Sequence, residues 1–356
     1  MQTKKFQSTH QITYKDPLNF KEEWSHLFRP DSAYLNVKLE VRELKNVFVN
    51  HYGLVIKNGL LVKGCAPNIG HNKYDDDNFY FRHWRKGIEQ MLVCKFGKSL
   101  PYKKLDDNRK YLIIHSPWFS YYFWLTECLP RLLMVEDYLE DLILIYPEGW
   151  KKNRYVNETL SLFPKLKIEI IPNDYHIFVK NLVMPEVKPW TPMVIPEHVF
   201  SVRNFFKEKK QFTINQDLNI YISREDAKYK KIQNETEFVH VINQFNFEKV
   251  TMSDKSIFEQ IELMQNTKNL IAITGASMAN LIFLKEGSTL IDLTNEMYSY
   301  DRKYKFHFKK IVDLLNGNYI VQFSKPVVDR NLPDIAMYDI QVNLDDLVKN
   351  IQTYIS

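Results

Sequence analysis

The sequence predicts an α/β protein built as two units in series. Three observations carry this. Short apolar runs of strand length alternate with segments of helical periodicity in both halves of the 356-residue chain. Four prolines, Pro185, Pro189, Pro192 and Pro196, crowd one interval between the halves, where missing backbone donors and fixed φ break regular elements. The second half also contains a strand, a Gly turn and a helix between Asn269 and Leu284, the unit from which doubly wound sheets are made. A length of 356 residues, 45% of them hydrophobic, suffices for two such cores. The expected division is 1–195, then 196–335, with a segment 336–356 that packs back on the first unit.

In the first half, β-rich runs from Leu44 to Val62 alternate with turn residues, and Asn58-Gly59 is a tight-hairpin pair. Lys110 to His115 reads as a strand, followed after Ser116-Pro117 by a helix-like segment from Tyr121 to Tyr138. Leu142 to Tyr146 and Lys167 to Ile171 read as buried strands separated by a helical segment. A helix from Glu197 to Lys209 leads into the second half.

There the pattern is clearer. Leu218 to Ser223 is a strand; Asn234 with Glu237 three residues on suggests a helix cap, and Phe238, Val241, Ile242 and Phe245 follow at helical spacing. Phe247 to Thr251 is the next strand. Ser256 with Glu259 forms a second capping-box pattern, ahead of an apolar face of Ile257, Phe258, Ile261 and Met264. Asn269 to Ile273, the turn Thr274 to Ser277, a short helix Met278 to Leu284 and a strand Thr289 to Leu293 complete the β-α-β-α-β-α-β order of half a doubly wound sheet.

Composition excludes several classes. The net charge of +5 comes from 48 Lys and Arg interleaved with 43 Asp and Glu, which is no basic stripe for nucleic acid. The apolar stretch Trp118 to Met134 is interrupted by Glu127, Pro130 and Arg131 and falls short of the roughly 20 apolar residues of a bilayer span. No apolar run follows the lysines of the N-terminus, so no secretory signal is expected. Cys65, Cys94 and Cys128 have neither metal-ligand spacing nor an even count, which points to a reducing, cytoplasmic setting. Asp75-Asp76-Asp77 and Asp106-Asp107 read as solvated loops.

In a doubly wound sheet, ligands sit beyond the C-terminal ends of the strands. Thr274-Gly275-Ala276-Ser277 follows a strand and opens a helix, so its N–H groups can meet an anion such as a diphosphate, or its small residues can simply let the helix pack closely. Arg224 ends the first strand of this half, with Lys228, Lys230 and Lys231 in the loop behind it; these cations can neutralise phosphates or line a solvated loop. Glu127 and Arg131 are four apart, spaced for an ion pair on one helix face, and are either a buried structural pair or polar groups turned to a cleft. His115 at a strand end carries the same two readings.

The order and spacing of four segments resemble glycosyltransferase family 61. They are Ile220-Tyr221-Ile222-Ser223-Arg224; Lys230-Lys231-Ile232-Gln233-Asn234-Glu235; Glu259-Gln260-Ile261; and Thr274-Gly275-Ala276-Ser277 running through Asn280 to Phe283. Upstream, Ser120 to Leu132, with Trp124-Leu125 and Leu129-Pro130-Arg131-Leu132, resembles the same family's aromatic segment. The resemblance implies a GT-B architecture of two Rossmann-like domains and inverting transfer from a nucleotide-sugar donor without an Asp-x-Asp metal site. It also implies a donor site of Arg224, Lys230, Lys231, Asn234, Glu259, Gln260, Thr274, Gly275, Ala276, Ser277 and Asn280, with Trp124 and Arg131 at the cleft. Two departures stand out: family members carry His before the Gly-Ala turn and before the Trp-Leu pair, where this chain has Thr274 and Phe123, neither of which takes a proton at neutral pH.

An inverting transfer needs a base for the acceptor hydroxyl and positive charge on the departing diphosphate. Glu127 is the first candidate base, with His115 and Asp292 behind it. The expected donor is UDP-linked, with no separate cofactor and no metal. The acceptor is a saccharide or lipid-linked saccharide of surface polysaccharide synthesis, met in the cytoplasm or at a membrane's inner face. A non-catalytic nucleotide-sugar-binding or scaffolding protein is the rival reading. An unrelated Rossmann enzyme such as an epimerase is disfavoured, because no Gly-x-Gly-x-x-Gly follows a first strand.

Overall fold

The computed structural model describes residues 5–7, 14–28, 37–66, 85, 102–115, 120–173, 176–188, 193–299, 306–329, 331–332 and 337–355. The chain forms two compact units, Met1–His10 with Ala33–Phe205, and Gln11–Ser32 with Phe206–Ser356. The change of unit falls within the helix Pro196–Lys209, ten residues past the expected break. Phe205 stacks on Phe163 of the first unit, while Phe206 meets Phe258 and Phe283 of the second edge-on.

The first unit is organised on one mixed sheet. Its strands among the described residues are β1 (Lys5–Gln7), β2 (Lys38–Val49), β3 (Val55–Lys57), β4 (Leu60–Leu61), β5 (Tyr102–Leu105), β6 (Lys110–Leu112), β7 (Leu142–Pro147), β8 (Lys167–Ile171) and β9 (His176–Pro185). The order is β4-β3-β2-β9-β6-β7-β8, with β1 on β2 and β5 on β9. Asn58 and Gly59, at φ 51° and 83°, make the β3–β4 hairpin turn, a conformation open to Asn and Gly with little strain. All six residues of β7 are buried, as expected of a parallel strand covered on both faces. β9 pairs antiparallel with β2 and parallel with β5 and β6, so it joins the antiparallel and parallel halves.

The expected helix Tyr121 to Tyr138 is broken into four pieces. An α-turn Tyr121–Phe123 leads into a π-helix Trp124–Cys128, an α-helix Leu129–Leu133 and a 3-10 helix Glu136–Asp141. Pro130 has no N–H to give to the carbonyl four residues back, and the preceding turn widens so that Leu129 N–H donates to Trp124 O. This change of period removes the simple i,i+4 relation between Glu127 and Arg131.

The second unit has the strands β10 (Leu218–Ile222), β11 (Phe247–Val250), β12 (Thr267–Ile273), β13 (Thr289–Asn295), β14 (Asn318–Val327) and β15 (Asp339–Gln341). Their order is β11-β10-β12-β13-β14-β15, parallel throughout except for β15. The order reverses between β10 and β12, which makes their C-terminal ends the topological switch point where doubly wound sheets hold ligands. One core face collects Tyr221, Phe238, Ile242, Ile271, Ile291 and Ile320 with Leu347 and Ile351.

Leu347 and Ile351 belong to the C-terminal helix Leu344–Tyr354, which is part of the second unit, where the sequence suggested a segment returning to the first. The helix buries one apolar face, and in the second unit that face meets Phe238 and Ile242. Residues 11–32 are likewise part of the second unit and not of a continuous 1–195 domain. Leu18 N–H donates to Tyr319 O at 2.8 Å, and the Asn19 amide brackets Val321, giving Nδ2 to its O at 2.7 Å and accepting from its N at 3.2 Å. This segment occupies the outer edge of β14, where backbone groups need partners.

Candidate functional site

At the switch point, Arg224 leaves the end of β10 and Gly275 leaves the end of β12. Arg224 Nε donates to Lys230 O and Nη2 to Tyr229 O, both at 3.2 Å. Its Nη1 presses on the Gly275 backbone, where a Cβ would fall 2.6 Å away. Gly275 is extended, with φ −175°, so its lack of a side chain answers to this close approach and not to strain. Lys230 turns the loop at φ 64°. Burial lowers the Arg224 pKa, while Asp226 acts in the opposite direction.

From Gly275 the chain enters a 3-10 helix, Ala276–Phe283, tighter than an α-helix and beginning two residues before the short helix expected from Met278. Met278 N–H closes its first turn on Gly275 O at 3.0 Å. The N–H groups ahead of it have no intrahelical acceptor and point out of the helix start. The Ser277 hydroxyl is buried beside them with no hydrogen-bond partner among the described residues. Arg224 and the Gly275–Ser277 turn thus bring a guanidinium, backbone donors and a hydroxyl to one place, a combination suited to an anion.

Beneath the turn lies a buried triad. Thr274 Oγ1 donates to Asp292 Oδ1 at 2.8 Å and Tyr319 OH donates to Asp292 Oδ2 at 2.7 Å. Burial raises the Asp292 pKa to about 6, against the hydrogen bonds from Tyr319 and Thr274 and the charge of Lys230. Asp292 is therefore ionised at neutral pH, weakly basic, and oriented on both oxygens. Sequence reasoning missed Tyr319. The turn Asn316-Gly317, with Asn316 at φ 55°, followed by the β-rich run Tyr319 to Phe323, is the sign that could have marked its strand.

Most of the other expected donor residues hold contacts within the second unit. Asn234 does not cap a helix through its side chain; it gives Nδ2 to Val342 O at 2.9 Å and accepts from Val342 N at 3.1 Å, tying the loop to the end of β15. The Lys231 backbone N–H donates to Asp339 Oδ1, and its ammonium to Glu225 O, each at 2.8 Å. Glu259 completes the capping box with Ser256. Gln260 accepts from Asn280 Nδ2 at 2.8 Å and donates to Met252 O and Lys255 O, so the Gln260–Asn280 pair braces two helices. Ala276 is exposed at the helix start.

In the first unit, Arg131 and Trp124, expected at a cleft, are interior residues, 1% and 2% exposed. Arg131 donates to four carbonyls: Ile114 at 2.6 Å, Pro185 at 2.8 Å, His115 at 3.0 Å and Ile113 at 3.4 Å. Trp124 Nε1 donates to Thr159 Oγ1 at 3.2 Å. Glu127 faces Lys188 Nζ at 3.7 Å, both side chains almost wholly enclosed, and no ion pair joins Glu127 to Arg131 among the described residues. Burial lowers the Lys188 pKa against the pull of Glu127. His115 is 1% exposed, and burial followed by the Arg131 charge drives its pKa down to about 3, leaving a neutral ring in the core. Neither Glu127 nor His115 shares a unit with the Arg224 turn.

Asp107 lies in an exposed loop, bonded to Arg109 and Tyr111, and Asp75-Asp76-Asp77 lies outside the described residues. No group of three His, Cys, Asp or Glu side chains is placed to share a metal ion among the described residues. No helix there is long and apolar enough to cross a membrane. Residues 121–291 match the family model for glycosyltransferase 61; the span takes in the aromatic segment, Arg224 and the Gly turn, and ends one residue before Asp292. No curated protein matches the chain.

Proposed function

Because the chain is a glycosyltransferase family 61 protein, we propose that it moves a sugar, with inversion and without a metal, from a UDP-linked donor to a saccharide or lipid-linked saccharide of surface polysaccharide synthesis. The observation that carries the reading is Arg224 Nη1 against the Gly275 backbone at the β10–β12 switch point. A diphosphate there meets the guanidinium, the first N–H groups of the 3-10 helix and the Ser277 hydroxyl, with Lys230 on the same loop. We read the two units as the halves of a GT-B enzyme, the second holding the nucleotide. The reaction is assigned to the cytoplasmic face of a membrane, where the basic, aromatic-rich first unit suits a lipid-linked acceptor.

Transfer forms a bond from the acceptor oxygen to the anomeric carbon as the bond to the diphosphate breaks. The leaving diphosphate takes up negative charge, which preorganised donors at the Arg224 site stabilise. Asp292 is the base: it takes the proton of the Thr274 hydroxyl in the same step in which that oxygen receives the acceptor's proton, so the threonine relays a proton and stays neutral throughout. Asp292 suits the task because its pKa of about 6 keeps it ionised yet close to neutrality. Glu127 and His115, enclosed in the first unit, are set aside as bases.

Incubation of the purified chain with a panel of sugar nucleotides and isolated polysaccharide acceptors tests the reading. Turnover of one donor, lost in Arg224→Ala, is expected. Binding without hydrolysis or transfer identifies the rival, a nucleotide-sugar-binding scaffold whose Thr274 replaced a catalytic histidine. No binding of any donor rejects both.

A further inference from the structure

We propose that the hollow between the segment Asn19–Trp24, the outer edge of β14 and the helix Leu344–Tyr354 is a saccharide-binding site, separate from the Arg224–Gly275 turn. It lies wholly in the second unit and encloses about 420 Å³, within the range of roughly 300–1,000 Å³ usual for small-ligand pockets. Its position follows from the fold. β14 is paired by β15 only from Lys325 onward, and the amide of Asn19 takes over the Val321 backbone, leaving space between that segment and the C-terminal helix.

The lining matches the two-sided chemistry of a sugar ring. One wall is aromatic: Trp24 and Phe323 meet edge to face, their centroids 5.1 Å apart at 72°, which fixes the indole plane. The ammonium of the exposed Lys21 rests 4.9 Å from the Trp24 ring centroid, so a face of this half-buried ring already receives positive charge from a mobile side chain. The C–H face of a pyranose presents that same charge to an aromatic ring.

The other wall carries polar groups. Gln322 is anchored on Asn343 O at 2.9 Å and accepts from Asn350 Nδ2 at 3.3 Å, which orients the Asn350 amide. The Asn350 carbonyl oxygen and the Thr353 hydroxyl make no hydrogen bond among the described residues, and both line the hollow. Asp346 and Lys349 add an acceptor and a donor from the same helix. A hydrocarbon chain would strip water from these groups without replacing it, and two lysines against one aspartate are too few for a polynucleotide. A hydroxylated ring, neutral or acidic, satisfies both walls. Used as an acceptor anchor, the site would hold a saccharide chain away from the point of transfer; that use rests on the proposed function, whereas the binding does not.

The test is saturation-transfer NMR on the full chain with four disaccharide probes: cellobiose, chitobiose, galactobiose and digalacturonate. At least one is expected to bind saturably, with about tenfold weaker affinity, equivalent to 1.4 kcal/mol, in Trp24→Ala and in Asn350→Ala, and unchanged in Arg224→Ala. Thermal melts confirm that each variant is folded. No saturable response to any probe, or a response indifferent to both pocket substitutions, overturns the proposal. UDP serves as the parallel probe: loss of UDP binding in Arg224→Ala with disaccharide binding intact supports two separate sites. A disaccharide site in a chain that binds no UDP rejects the donor reading and leaves this one standing.

Discussion

Each unit of this molecule sets an arginine against backbone, and the two arginines end differently. Arg131 directs Nε and both terminal nitrogens at the carbonyls of Ile113, Ile114, His115 and Pro185; each of its three nitrogens has an acceptor inside the fold. Arg224 gives two nitrogens to the carbonyls of Tyr229 and Lys230 and rests the third on a glycine at the opening of a helix. The first arrangement closes a structure, sewing the ends of β6 and β9 to the helix Leu129–Leu133. The second leaves charge facing backbone donors, and only that combination invites an anion. Arg131 is wholly enclosed and Arg224 only half-buried, and the remaining hydrogen-bonding capacity of Arg224 is what suits it to a ligand.

The contrast can be broken most forcefully at Arg131. Arg131→Met strands four carbonyls and should destabilise the first unit by about 3–5 kcal/mol, read as a fall in urea midpoint. Arg131→Lys should not restore it, because a point charge cannot fork to four acceptors. If Arg131 instead tolerated Met, its role as a clamp would be wrong.

Asp292→Asn tests the other side. It should lower turnover by about 10²-fold or more while leaving UDP affinity near its starting value. The pH profile sharpens the point. A base must be ionised, so the rate should rise with pH through about 6 and level off above it, and that limb should vanish in the variant. An unchanged limb would assign the base elsewhere.

Gly275→Ala is next in size. Its Cβ would push Arg224 Nη1 aside, and about tenfold weaker UDP binding, or 1.4 kcal/mol, is expected in calorimetry with little change in melting temperature, since the backbone there is extended. Tyr319→Phe should have the smallest effect. It removes a hydrogen bond that holds the Asp292 pKa down, so the rising limb should move to higher pH with the plateau rate little altered.

Local signals served best where local chemistry decides the outcome. The Ser256–Glu259 capping box, the Asn58-Gly59 hairpin and the apolar run of β7 all appear in the structure at the residues read from the sequence, because each depends on groups a few positions apart. Asn234 shows the limit. Its type and the Glu237 that follows suit a cap, yet its amide serves Val342, 108 residues away, a partner no local pattern contains. The 127–131 spacing failed for a related reason: Pro130 and the π-turn before it changed the helical period.

By itself the sequence determined the alternation of strands and helices, the glycine turn after β12 and the family to which residues 121–291 belong, since these reside in periodicity and in the order of short segments. Tertiary structure alone decided that β10 and β12 are neighbours, that Tyr319 reaches Asp292, and that Glu127 and His115 lie enclosed in the other unit. The physical reason is that strand order and burial are settled by how whole apolar faces pack, and a residue's charge, access and partners follow from that packing.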